Sequence, residues 1–141
     1  MPIRCEIVSQ DRIVFSGDVD MVTIPGSDGI MGILPNHTPL LTTLQFGIIS
    51  VKCKSEEYHF TAAGGVVEVQ PDQVTILADA AENVTELDEN RAAAAKQRAE
   101  ELLKRGIPQD TDTYLTLQSA LRKSNLRLSA IKRYRSGRHS S

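Results

Sequence analysis

Through residues 1–86 apolar and polar side chains alternate in short runs that are broken by Gly, Pro, Asn and Asp. A period of two is that of a strand with one face covered. It predicts nine strands, over Ile3–Ser9, Arg12–Gly17, Met21–Pro25, Ile30–Leu34, Leu40–Thr43, Ile48–Lys52, Glu57–Thr61, Gly65–Gln70 and Val74–Ala78. Short strands at such even spacing fit a sandwich or closed barrel better than an open sheet. Ser9-Gln10-Asp11, Gly26-Ser27-Asp28-Gly29 and Pro71-Asp72-Gln73 carry turn chemistry between them.

From residue 87 the period changes to that of a helix. Thr85-Glu86-Leu87-Asp88 has the spacing of a capping box. It introduces a helix over about Asp88 to Arg105, stopped by Gly106 and Pro108. Asp110-Thr111-Asp112 then caps a second helix that runs to about Tyr134. Ala92, Ala95, Ala99 and Leu102 form a stripe on the first helix, and Leu117, Leu121, Ser124, Leu128 and Ile131 form one on the second. A short connection makes the pair an antiparallel hairpin. Its seam is weak, because alanine buries little apolar area at roughly 25 cal/mol per Å² and Ser124 interrupts the facing stripe. Such a hairpin can leave its packed position at modest cost.

Composition strengthens this division. Residues 1–86 hold 26 of the Val, Ile and Thr residues and later positions hold five, so the first domain, 1–86, reads as β and the second, 87–141, as α. The net charge of −2 conceals a first domain of −8 and a second of +6. No run approaches the roughly twenty apolar residues of a membrane helix, and the Met-Pro-Ile-Arg start lacks the apolar stretch of a signal peptide, so an aqueous compartment is expected. Cys5 and Cys53 match no metal or redox spacing and read as two reduced, buried thiols.

Catalytic chemistry is hard to assemble from these residues. His37, His59 and His139 fall in a turn, a strand and a tail without metal-ligand spacing, and no phosphate-binding glycine loop is present. Gly64-Gly65 reads as a bulge or corner. Neither a catalytic residue nor a metal site is expected.

Three segments exceed the generic. In Gly29-Ile-Met-Gly-Ile-Leu-Pro-Asn-His-Thr-Pro-Leu-Leu41, Asn36 and His37 either bond turn backbone at a structural corner or belong to a partner-contact loop. Leu87-Asp88-Glu89-Asn90-Arg91-Ala92 reads first as a capped, salt-bridged helix start. After Asp112 come seven cations and no acid: Arg122, Lys123, Arg127, Lys132, Arg133, Arg135 and Arg138. So one-sided a run calls for a polyanionic partner, which could be nucleic acid, an acidic protein surface or nucleotide phosphates.

The chain resembles the epsilon subunit of the proton-translocating ATP synthase over nearly its whole length. Phe15-Ser-Gly17, Gly32-Ile-Leu-Pro-Asn-His-Thr-Pro-Leu-Leu-Thr42, Gly64-Gly-Val-Val-Glu-Val69, Val74-Thr-Ile-Leu-Ala-Asp79 and Leu87-Asp-x-x-Arg-Ala92 carry the resemblance. It implies a β-sandwich of about ten strands followed by the two-helix hairpin. It also implies a non-catalytic central-stalk subunit that contacts the gamma subunit and the c-subunit ring, couples proton-driven rotation to ATP synthesis, and inhibits ATP hydrolysis when its hairpin extends. By position, Ser27, Asp28, Gly29, Ile30 and Met31 form the loop facing the ring, with Ile30-Met31 as an apolar contact, and His37 joins the partner surface. The basic second helix, including Arg122 and Arg133, would meet acidic surfaces of the catalytic beta subunits.

No cofactor is required, but the resemblance implies ATP as a regulatory ligand. Glu82, Leu87, Asp88 and Ala92 would hold adenine, while Arg91, Arg98, Lys123 and Arg127 would face the phosphates. The expected location is the cytoplasmic face of a bacterial plasma membrane, reached only through the complex, and the missing transit peptide argues against plastid import. The competing class is a nucleic-acid-binding module using the basic second helix, with affinity that falls steeply with salt. The acidic first domain and the lack of aromatic stacking residues near the basic run count against it.

Overall fold

The computed structural model describes residues 2–10, 12–106 and 110–135, so Asp11, Pro108, Arg138 and His139 lie outside the described residues. Along the chain come β1 Ile3–Ser9, β2 Arg12–Val19, β3 Met21–Gly26, β4 Gly29–Ile33, β5 Leu40–Cys53, β6 Glu56–Val69, β7 Gln73–Ala78, β8 Ala81–Asn83, α1 Glu89–Lys104 and α2 Thr111–Ala130. The chain divides into two compact units after Val84.

The first unit is a β-sandwich built around one long ladder. β5 and β6 pair from Leu40 opposite Val69 to Cys53 opposite Glu56. The early half of β5 and late half of β6 continue through β7, β1 and β2, with β1 parallel to β7. The late half of β5 adds β3 and β4, and the early half of β6 adds β8. Each long strand therefore serves both layers. The nine predicted strands become eight because two predicted pairs are continuous through their bends and β8 is additional. Counted once per layer, the long strands restore five strands to each.

Glycines make those bends. Gly64 (φ +97°) sits in β6 between its pairing with β8 and its pairing with β7, and Gly65 (φ +137°) begins the latter opposite Ala78. A Cβ on Gly65 would collide with the Leu77 carbonyl. Opposite Ala62, Gly47 lies so close to Pro25 that an added Cβ would be 2.7 Å from the ring's Cβ. At Gly47 the Pro25 ring excludes a side chain, while at Gly64 and Gly65 the positive φ does so as well.

Inward-facing residues of the two layers form the core. Ile3, Cys5, Ile7, Val67, Val69, Val74 and Ile76 come from one layer, and Val22, Ile24, Ile33, Ile49, Val51 and Phe60 from the other. Phe15 of β2 reaches across to Tyr58 and Phe60 of β6, with both pairs of ring centroids 5.8 Å apart. Burial pushes the Cys5 thiol up to about 12, so it is a neutral packing group at neutral pH. Cys53 is only partly buried, which corrects the expectation of two buried thiols, and its thiol lies 3.5 Å from the Asp18 carbonyl.

The second unit holds the helices. Asp88 rather than Thr85 is the cap of α1, because Val84–Glu86 wind into a 3-10 turn and the Asp88 carboxylate accepts the Arg91 N–H at 3.0 Å. Asp110 caps α2, accepting from Asp112 N–H at 3.2 Å and the Thr113 hydroxyl at 2.7 Å. These bonds hold its carboxyl below the usual carboxylate range. Beyond Ala130 the helix widens into a π turn over Ile131–Arg135. Ala92, Ala99 and Ser124 are buried as the stripes require, whereas Leu102 is 41% exposed and leaves the seam.

Candidate functional site

The candidate residues lie on several surfaces of the two units. Ser27-Asp28 form a two-residue turn between β3 and β4, closed by Gly26 opposite Gly29. Gly29, just after the turn, takes φ +118°, a conformation that glycine adopts without the steric cost of a side chain. Ile30 is 82% exposed at this tip, while Met31 packs against the core. Of the Ile30-Met31 pair expected to be exposed, Ile30 faces out and Met31 is half-buried, because strand alternation sends successive side chains to opposite faces.

His37 lies in the corner that follows β4. Its Nδ1–H donates to the Thr38 carbonyl at 2.7 Å, and Asn36, at φ +67°, donates its N–H to Pro71 O at 2.8 Å. The His37 side chain bonds turn backbone as the structural-corner reading expected, whereas the Asn36 bond comes from its main chain, and His37 remains partly accessible.

Cross-strand register then builds a surface that sequence periodicity did not identify. Val66 of β6 stands opposite Leu77 of β7, Leu77 opposite Val8 of β1, and Val8 opposite Ile13 of β2. Leu41 lies beside this row on β5. Leu41, Val66, Leu77 and Ile13 are all exposed, Leu77 at 53%. One apolar row thus crosses four strands of an outer sheet face. Each member looks unremarkable in its own strand, and only pairing aligns them.

A polar cluster on the other layer comes closest to a nucleophile with its base. Ser50 Oγ and His59 Nδ1 share a 3.0 Å hydrogen bond, but Glu57 is 3.8 Å from His59 Nε2, beyond hydrogen-bond reach. Ser50 sits inside β5 between Thr23 of β3 and His59 of β6, so the surrounding amides belong to ladders and not to an oxyanion site.

The nucleotide candidates are distributed over both units. Glu82 is in β8, where its carbonyl accepts from the Thr61 hydroxyl at 3.5 Å. On the hairpin, Leu87 and Ala92 are buried, Asp88 is committed to capping, and Arg91 and Arg98 are exposed. Lys123 and Arg127 line a groove of about 450 Å³ with Ala95, Thr116, Ser119 and Ser124. On α1, Arg91 and Arg98 flank Ala95 by one turn on each side. Arg122 and Arg133 are exposed, and the Arg133 guanidinium stands 5.1 Å from the centroid of the Tyr134 ring. Two further features escaped sequence reasoning. The Ser124 hydroxyl is buried without a partner among the described residues, and Arg135 donates to the Leu87 carbonyl.

Comparison with known proteins places these surfaces in context. Residues 2–84 match the model of the ATP synthase delta/epsilon chain beta-sandwich domain, and residues 85–132 match that of its long alpha-helix domain. The chain is 42% identical to the ATP synthase epsilon chain of Herpetosiphon aurantiacus over 132 residues, covering 94% of this chain and 96% of that one. It is 41% identical to the epsilon chain of Herminiimonas arsenicoxydans over 138 residues, covering 96% and 97%. Among solved structures it superimposes on a chain of the Euglena gracilis mitochondrial ATP synthase with a TM-score of 0.77 at 22% identity, covering 92% of this chain and 81% of that one, a likeness of fold. The two domain models, in this order and over nearly the whole chain, show that it belongs to the ATP synthase delta/epsilon chain family and is a non-catalytic subunit.

Proposed function

We propose that this chain is a central-stalk subunit of a rotary ATP synthase that couples proton-driven rotation to ATP synthesis and restrains ATP hydrolysis through its helical hairpin. The observation that carries this reading is the contrast between the two units. The sandwich has a large buried apolar core and an exposed apolar row, whereas the hairpin buries Ala92, Ala99 and Ser124. An apolar row of this kind marks a protein-contact face, and it suits the gamma subunit. Ile30 at the β3–β4 tip suits an apolar contact with the c-subunit ring.

A seam of small residues gives two hairpin arrangements similar energies, so partners can tip the balance. When extended, the hairpin brings its run of cations to acidic surfaces of the catalytic beta subunits. Family membership favours this acidic protein partner over nucleic acid. ATP is a second, regulatory ligand in this reading. Lys123 and Arg127 in the groove, with Arg91 and Arg98 one turn either side of Ala95, supply cations from both helices for a triphosphate that clamps the hairpin closed. The subunit works at the cytoplasmic face of a bacterial membrane, attached through the complex.

Truncation tests the inhibitory role. A chain ending at Leu87 is expected to assemble into the reconstituted complex and to raise its ATP hydrolysis severalfold. Unchanged hydrolysis would remove the inhibitory role and leave coupling.

A further inference from the structure

Among the described residues of the hairpin, a polar contact ties the two helices near one end and a polar group lies buried without a partner in the seam. At the end of α2, Ile131–Arg135 adopt π geometry, a rare winding that recurs at functional positions. Arg135, the last residue of that turn, donates from Nη1 to the carbonyl of Leu87, the residue just before the α1 cap. The finish of one helix is thereby tied to the start of the other. A guanidinium–carbonyl bond is charge-assisted and stronger than an ordinary neutral one.

Ser124 does the reverse. It is 1% exposed in the seam, and its hydroxyl has no hydrogen-bond partner among the described residues. In a separated hairpin water satisfies that hydroxyl, so closure costs its desolvation without return. An alanine there would match the buried Ala92 and Ala99 of the facing helix in size without this cost.

We propose that Arg135 and Ser124 set the population of the closed hairpin in opposite directions, Arg135 as a latch on the Leu87 carbonyl and Ser124 as a built-in loosening of the seam. The device belongs to the hairpin itself, and its effect on hydrolysis rests on the function proposed above.

Amide hydrogen exchange on the full chain tests it, with the sandwich amides as an internal reference. Arg135→Gln is expected to speed exchange across α1 and α2 about tenfold or more, the loss of one charge-assisted bond. Ser124→Ala is expected to slow it about fivefold or more beyond Ser129→Ala, an exposed position on the same helix that reports helix propensity alone. Unchanged exchange in Arg135→Gln, or no gain of Ser124→Ala over Ser129→Ala, overturns the proposal. Faster exchange in Arg135→Gln with unchanged hydrolysis by the reconstituted complex upholds the latch and overturns the inhibitory function instead.

Discussion

Gly65 sits where no side chain fits. Its φ of +137° disfavours any L-residue, and a Cβ would run into the Leu77 carbonyl, a backbone atom that cannot rotate away. Gly65→Ala is therefore expected to destabilise the sandwich by about 3 kcal/mol. Urea unfolding checks this, and a loss under about 1 kcal/mol would mean that the strand shifts to accommodate the methyl group. The Gly64-Gly65 pair was legible as a bulge or corner because adjacent glycines are rare in strands. Gly47 gave no such signal, since its need arises from Pro25, 22 positions earlier in the sequence. The cap of α1 shows a different limit. Thr85 and Asp88 both have capping chemistry, and only the 3-10 turn over Val84–Glu86 decides for Asp88.

At the scale of elements, periodicity located the strands, and the long-range bends changed how they connect. Alternation reads the same in two short strands as in one long strand with a kink, so the continuity of β5 and β6 was not legible. The helices were easier, because local caps set their starts. The hairpin also makes the ATP reading testable. Arg91 is exposed on the first turn of α1, leaving its guanidinium available to a phosphate while its own N–H serves the Asp88 cap. Calorimetric titration of the full chain is expected to show ATP binding that Arg91→Ala weakens about tenfold. At about a hundred times its dissociation constant ATP would then favour the bound form by about 2.7 kcal/mol. No heat at millimolar ATP, or equal affinity in Arg91→Ala, would remove ATP as a ligand.

In the whole molecule, the buried cluster of the sandwich runs from Ile3 to Ala78 among the described residues, with Ala81 packed against it. A fragment of residues 1–84 should therefore unfold cooperatively with a β-type spectrum. Residues 85–141 alone should lose most of their helicity, because short helices with an alanine seam are marginal in water. A collapsed, non-cooperative 1–84 fragment would show instead that the sandwich needs the helices. By itself the sequence determined the β-then-α order, the turns, most helix limits and the opposite charges of the two parts, because all of these follow from local periodicity, capping chemistry and counting. Only tertiary structure aligned Val66, Leu77, Val8 and Ile13 into one apolar row, turned Met31 inward, tied Arg135 to Leu87 and left the Ser124 hydroxyl without a partner among the described residues. Each of these depends on register or packing between residues distant in the chain, and local patterns carry no information about which distant residues meet.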